Sequence, residues 1–282
     1  MTRKGKKRLG HILLYLCLVI VAILTLFPLF WGISASLRDD SELFAYVMPF
    51  GVHTLIPVEF TFKSYVELFT TYGFLKPVIN TVFVTAVSIF FGCILNSIAA
   101  FAFAMFDFKF KKPLFTLVLL SFMIPFEAIA LPLYQIADKM KMVDTYQGMI
   151  LPSIASGLVL FLFVQFFRDI PPDLLDAARV DGANIGRIYT RILMPLSKPI
   201  FITAGLMIFM DQWNSYLWPL LIARSKEIRT IQIALTQFNT EHSTAWSALY
   251  AGSMFSALIP LLLFLPLQKY FVQGITSSGV KG

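Results

Sequence analysis

Charge is what this chain has least of. Only 14% of its 282 residues are Asp, Glu, Lys or Arg, against roughly 25% in an ordinary soluble domain. That deficit argues against a water-solvated globular fold. Cysteine is nearly absent too. Cys17 and Cys93 both fall inside long apolar runs, so they set up no disulfide framework and leave the redox compartment unread. The three histidines, His11, His53 and His242, are scattered and give no metal-ligand spacing. There is no GxxxxGKS/T loop to cradle ATP phosphates and no nucleophile elbow. A membrane-embedded enzyme would need an acid, base or metal site, and none can be assembled from these residues.

What the chain has instead is apolar length. Hydrophobic residues make up 57% of it, and the mean hydropathy is +0.75. Crossing a bilayer takes about 20 apolar residues per helix, and six such segments occur, at about 11–35, 77–105, 113–135, 147–167, 200–222 and 247–270. The fold class expected is therefore an all-α polytopic membrane protein with six transmembrane helices. The N-terminal basic run followed by an apolar stretch has the outline of a signal peptide. The stretch Ile12 to Ile33 is too long for one and lacks a small-residue cleavage site, so it is read as a retained helix.

Basic residues set the orientation, because cytoplasmic loops carry the excess of Lys and Arg. One face receives 15 of the 23 basic side chains, from the N-terminal run, Lys109 to Lys112, Arg168, Arg179, Arg187, Arg191, Lys198, Lys269 and Lys281. The same face has Asp107, Asp169, Asp173, Asp176 and Asp181 as its acids. The opposite face is nearly neutral, so both termini are predicted inside. The net charge of +7 is then a topology signal and an attraction to anionic membrane lipid, and no nucleic-acid partner is needed.

One predicted cytoplasmic segment interrupts the apolar pattern. Residues Asp173 to Pro199 read DLLDAARVDGANIGRIYTRILMPLSKP. Pro171 and Pro172 suit a first helical turn, and Asp173 and Asp176 complement the positive end of a helix dipole. Gly182 interrupts that helix. Asn184 can cap a second one, which is expected to end before Pro195. On the first helix Ala177, Ala178, Asp181 and Gly182 share a side, leaving a low surface that another protein's backbone could approach. On the second, Ile185, Ile188, Tyr189 and Ile192 form an apolar stripe, with Arg187 and Arg191 on another face.

Here the residues carry a resemblance. The order Asp176, Ala177, Ala178, then Asp181, Gly182, Ala183, then Ile192, Pro195 and Pro199 resembles the EAA loop of binding-protein-dependent ABC importer permeases. The run from Trp213 to Leu220, the run from Pro125 to Tyr134, and the tail from Gln273 to Gly282 are similar to the MalG-type sugar permeases. Two departures stand out: Asp176 replaces a Glu, and Met194 replaces a Leu.

The resemblance implies a type I ABC importer permease fold with both termini inside, in a bacterial-type cytoplasmic membrane. It implies a second homologous permease subunit, two ABC ATPase subunits and an extracytoplasmic solute-binding protein as partners. ATP and Mg would sit on the ATPase, with no cofactor on this chain. Coupling to the ATPase would run through Asp176, Ala177, Ala178, Asp181, Gly182, Arg187, Ile192 and Pro195. The organisation expected is 1–75 for the N-terminal segment, first helix and external loop, 76–270 for the permease domain, and 271–282 for a cytoplasmic tail.

Two carboxylates fall within or at the ends of spans, Glu127 and Asp211, where burial is costly enough to suggest function. Gln212, Trp213 and Asn214 beside Asp211 suit a sugar. Glu127, Asp211, Gln212 and Asn214 are thus the candidate substrate-pathway residues, with interhelical hydrogen bonding as the competing role. Asn80 and Asn96 are expected to bridge helices. A sugar or oligosaccharide is the expected solute. A glycerol-phosphate, a polyol, or ion-coupled secondary transport through the same carboxylates are the alternatives.

Overall fold

A computed structural model describes residues 3–49, 51–239 and 244–279, with side chains from 10 to 268 within those limits. His242, Lys281 and the end of the predicted tail signature lie outside the described residues, as do the side chains of Arg3 to Arg8 and Lys269. Four helices are long and apolar enough to cross a membrane: Gly10–Ser36, Leu75–Met105, Tyr146–Arg168 and Trp246–Gln268. Two bent helix pairs also pass when each is taken together, Lys111–Ser121 with Phe126–Lys139 at 102° and Ile185–Leu196 with Lys198–Trp213 at 79°; in the second pair only Lys198–Trp213 falls in the fifth apolar segment. The third and fifth segments are thus not straight helices. Pro125 has no N–H to continue a helix and steers Ile124 away from helical geometry. In the fifth segment helix Lys198–Trp213 stops, and a separate turn of helix, Leu217–Ile222, follows.

The chain divides into two compact units. The first comprises Met1–Phe74 and Leu235–Leu258. Its Gly10–Ser36 helix has 27 residues, none of its most apolar window buried inside the protein, and a length of about 40 Å, ample for the hydrocarbon core. The segment after it, expected as an external loop, holds short helices at Asp40–Leu43, Val52–Leu55 and Lys63–Thr70. Arg38 is buried, and its guanidinium donates to Ser34 Oγ at 3.1 Å and the Thr54 carbonyl at 3.2 Å. The Ser247 N–H donates to Asp40 at 2.6 Å. Edge-on ring contacts of Phe69 and Phe74 with Phe255 complete this core.

The second unit comprises Leu75–Ala234 and Ile259–Gly282. Helix Leu75–Met105 is its axis, and two hydrophobic cores form along it. Phe101 packs with Phe163, Phe167, Leu175, Ala178 and Ile188 in one, while Val84 packs with Met149, Trp218 and Ile222 in the other. Val84 and Phe101 are 17 positions apart, roughly 25 Å at helical rise, so the cores lie toward opposite ends of the unit. Phe106 and Phe115, which flank the basic Lys109–Lys112 loop, and Leu175, Ala178 and Ile188 of the 173–199 segment pack at the first end.

Polar side chains stitch this unit together. Asn96 donates to the carbonyls of Gly92 and Ile154 at 2.7 and 2.8 Å and accepts from the Ser156 N–H at 3.1 Å. Asn80 donates to the carbonyls of Glu227 and Arg229, both at 2.8 Å, and accepts from Tyr146 at 2.7 Å. Both are the interhelical bridges expected, since an amide in an apolar interior must find partners.

Candidate functional site

Two places in the second unit gather the residues singled out by sequence. The first is the segment 173–199. Its leading helix is Pro172–Val180, with Pro172 at the first helical position and Asp173 in the first turn. It closes with the Gly182 N–H on the Arg179 carbonyl at 3.0 Å and the Ala183 N–H on the Ala178 carbonyl at 2.9 Å. That is a Schellman closure, and it needs a left-handed residue after the cap; Gly182 supplies it at φ 78°. Asn184 then accepts from the Arg187 N–H at 2.9 Å and starts the second helix.

Three expectations for this segment are corrected. Ala178 does not share an exposed face with Ala177. It is 7% exposed and packs with Leu175 and Ile188 against Phe163 and Phe167, because positions three apart on a helix stack on one side whereas neighbours diverge by about 100°. The second helix does not stop before Pro195 but runs to Leu196, opening into a π-helical stretch over Ile188–Leu193. Widening the turn accommodates a proline that cannot donate to the carbonyl four residues back. Ile185 is 57% exposed, so the apolar stripe is only Ile188, Tyr189 and Ile192; Tyr189 is tied by its hydroxyl to Ser97 at 2.7 Å.

The remaining predicted coupling residues stand outward. Asp176, Ala177, Asp181, Gly182, Arg187 and Pro195 are exposed, and Ile192 is half-buried. Asp176 pairs with Arg179 at 2.8 Å within its own helix, an exposed pair worth at most about 1 kcal/mol. Around them Leu174, Val180 and Ile185 also face out, Val180 at 87%. The outer face is therefore small and apolar with charges at its edges, while the inner face is bolted to the bundle.

The second place is a cavity of about 880 Å³, within the upper size range for a small-molecule site. Glu127, Asp211, Gln212 and Asn214 all line it. So do the breaks of three interrupted spans: Phe122 and Ile124 from the third, Ala155 and Ser156 from the fourth, and Asn214 to Tyr216 from the fifth. Non-helical backbone at membrane depth leaves carbonyls and N–H groups without helical partners, which is tolerated where they face protein or a polar cavity. The three breaks and the cavity therefore explain one another.

The cavity wall is chemically mixed. The Asp211 carboxylate accepts from Gln212 Nε2 at 3.0 Å, and Asn214 Nδ2 donates to the Met210 carbonyl at 2.8 Å, leaving its oxygen free to accept. Ser153 shares a hydrogen bond with Ser88 at 3.2 Å. Phe122, Phe126 and Tyr216 add aromatic surface. Trp218 also lines it, with its indole N–H spent on the Gly148 carbonyl at 3.0 Å. Sequence reasoning missed Ser153, Trp218 and Thr230. Trp218 lies within the Trp213–Leu220 run already singled out, and the Pro125 and Ser156-Gly157 signals mark helix boundaries that line the cavity with Ser153.

Residues 88–277 match the family described as binding-protein-dependent transport system inner membrane component. The chain belongs to that family. It is a transport permease and a multi-pass protein of the cytoplasmic membrane. Among its relatives, the arabinooligosaccharides transport system permease protein AraQ of Bacillus subtilis (strain 168) is 35% identical, covering 96% of each chain. The sn-glycerol-3-phosphate transport system permease protein UgpE of Rhizobium meliloti (strain 1021) is 31% identical, covering 97% of this chain and 98% of its own. A chain from the crystal structure of a bacterial ABC transporter involved in the import of the acidic polysaccharide alginate superposes with a TM-score of 0.84. It covers 96% of this chain and 99% of its own at 22% identity, so the likeness is one of fold.

Proposed function

We propose that this permease forms half of the pore of an ATP-driven importer for a sugar or oligosaccharide, and that solute passes through the 880 Å³ cavity. The observation that carries the reading is the convergence of three broken spans on one pocket that mixes carboxylates, amides, hydroxyls and aromatic rings. Such a surface matches a solute that is hydroxyl-rich at its edges and apolar on its ring faces. The resemblance of AraQ, an arabinooligosaccharide permease, over nearly the whole chain supports the solute class.

The power stroke comes from elsewhere. This chain has no phosphate-cradling loop, so ATP and its Mg are held by two ATPase subunits in the cytoplasm, and they act through the outward face of residues 173–199. Asp176, Ala177, Asp181, Gly182 and Arg187 make that contact. Pro195 stands on the same outward side, while Ala178 and Ile192 support the contact from the protein side. A second permease subunit completes the pore, and a solute-binding protein delivers from outside. Residues 76–270 carry the permease function, with the N-terminal helix and the last residues as appendages.

The experiment is uptake of a labelled arabinooligosaccharide by proteoliposomes holding the complete transporter. Uptake should require internal ATP and persist when ion gradients are collapsed. Asp211→Asn and Asn214→Ala should each raise the half-saturating concentration without loss of ATPase assembly. Uptake that follows the ion gradient and ignores ATP would assign Glu127 and Asp211 to ion coupling and overturn the reading.

A further inference from the structure

The cavity holds an unbalanced charge. Of its lining residues Glu127 and Asp211 are acidic, and none is Lys, Arg or His. Glu127 stands in the first turn after the break of the third span and takes part in none of the ion pairs recorded among the described residues. Among the described residues Asp211 is met by the neutral amide of Gln212 and by no basic side chain. Arg224, a basic residue near this end, is engaged with the Tyr134 hydroxyl and ring and does not line the cavity. A further group waits for a partner: Thr230 is 3% exposed, lines the cavity, and its hydroxyl has no hydrogen bond among the described residues.

We infer that this cavity selects an uncharged saccharide and turns away anionic ones, with Glu127 and Asp211 as the selecting residues. The inference rests on the saccharide reading above and sharpens it. A carboxylate accepts hydrogen bonds from sugar hydroxyls, which are donors. The same carboxylate repels a phosphate or uronate, because neither finds a cation in the wall to offset its desolvation. Two like charges on the order of 10 Å apart at an effective dielectric of about 20 disfavour an encounter by roughly tenfold. Two carboxylates and no basic residue therefore set this half of the pore against solutes such as sn-glycerol-3-phosphate, although a permease for that anion is 31% identical.

The test uses the complete transporter at low salt, in a Cys17→Ser, Cys93→Ser background with Ser215→Cys as the one reactive position in the cavity wall. A cationic methanethiosulfonate should modify this cysteine at least about tenfold faster than an anionic one of similar size. Glu127→Gln with Asp211→Asn should bring the two rates together, and Glu127→Gln alone should move them part of the way. Equal rates in the parent, or a ratio that the neutralised variant leaves unchanged, would overturn the inference.

Solute protection completes the test. Millimolar arabinotriose should slow modification in the parent, while trigalacturonate should protect only after both carboxylates are neutralised. Equal protection by the two in the parent would overturn the selection. If neither sugar protects in any variant, the saccharide class is wrong, while the reagent ratio still decides the charge of the cavity.

Discussion

Replacing Gly182 separates what this chain needs for its own fold from what a partner needs of it. The residue sits at φ 78°, and a β-carbon added there would meet no atom within 4 Å. A β-carbon in left-handed geometry costs roughly 1–2 kcal/mol, and Asn bears it more easily than most residues. Against that cost stand three hydrogen bonds of the helix end: Asp181 N to Ala177 O, Gly182 N to Arg179 O, and Ala183 N to Ala178 O, at 2.9 to 3.0 Å. At about 1 kcal/mol net each, they hold the turn in Asn, Ala and Trp variants alike. The added β-carbon therefore meets the same open space in Ala and in Trp, and normal membrane insertion of the Trp variant is the check that the fold tolerates the indole.

The assay compares Gly182→Asn, Gly182→Ala and Gly182→Trp for membrane insertion, ATPase co-purification and ATP-dependent uptake. Asn should resemble the parent, and Ala should lose no more than a few-fold. Trp should insert normally yet bind ATPase at least about tenfold more weakly than Ala, since more than 1.4 kcal/mol of docking is lost when an indole props the two proteins apart. Trp within twofold of Ala would refute docking at this surface. Asn falling as far as Trp would refute it differently, by showing that the turn's conformation sets the outcome.

Ala177→Cys should react with a membrane-impermeant maleimide applied to the cytoplasmic face, and crosslink to an ATPase subunit. Ala178→Cys, being buried, should do neither, and equal labelling of the two would contradict the helix orientation. Gly148→Ala should lower the thermal midpoint through overpacking of about 1–3 kcal/mol or more, because its Cβ would fall 2.1 Å from the Met142 carbonyl oxygen; an unchanged midpoint would show that this approach is looser. The Ser225 N–H donating to Asp144, with Arg224 nearby, holds that carboxyl below its ordinary value. The stability it adds is present at neutral pH and is lost as pH falls through the depressed folded value. Parent and Asp144→Asn should therefore differ in thermal midpoint at neutral pH and converge in acid, and a gap that persists in acid would rule the clamp out.

Hydropathy located the apolar segments, four of them as long helices and two as bent or broken ones, because it registers which residues avoid water. It was blind to the backbone's direction: Phe122, Met123 and Ile124 are as apolar as the helices they separate, so the third segment read as one rod. Only Pro125, which constrains the residue before it, marks the bend. The 173–199 segment was legible to its cap residues, since Pro172, Gly182 and Asn184 act locally. Ala178 was misplaced because its burial is decided by Phe163 and Phe167, which a reading of one helix cannot see. The four candidate pathway residues were singled out by chemistry, as polar groups where they are costly, and all four line one cavity. Ser153 escaped that reading because a hydroxyl in a helix commonly bonds its own backbone, as Ser153 does to the Ile150 carbonyl at 2.7 Å; Thr230 escaped it because it lies in a short connector before helix Ile231–Thr236.

The geometry of the second unit also limits how the coupling face and the cavity can communicate. Helix Lys198–Trp213 begins two residues after the island's second helix ends, across a 79° bend at the buried Ser197. It carries Asp211 and Gln212 on its final turn. Sixteen helical residues make a strut of about 24 Å, braced against Leu75–Met105 through Ile200, Ala204 and Ile208. Under the proposed docking, a push on the outer face of Pro172–Val180 would enter the bundle through Leu175 and Ala178 in that same core. Such a displacement would move the base of the strut, and a helix would carry it to Asp211 by covalent continuity without needing a relay of side chains. The bend at Ser197 decides how much arrives: a rigid corner swings the polar wall of the cavity, whereas a flexible one dissipates the motion.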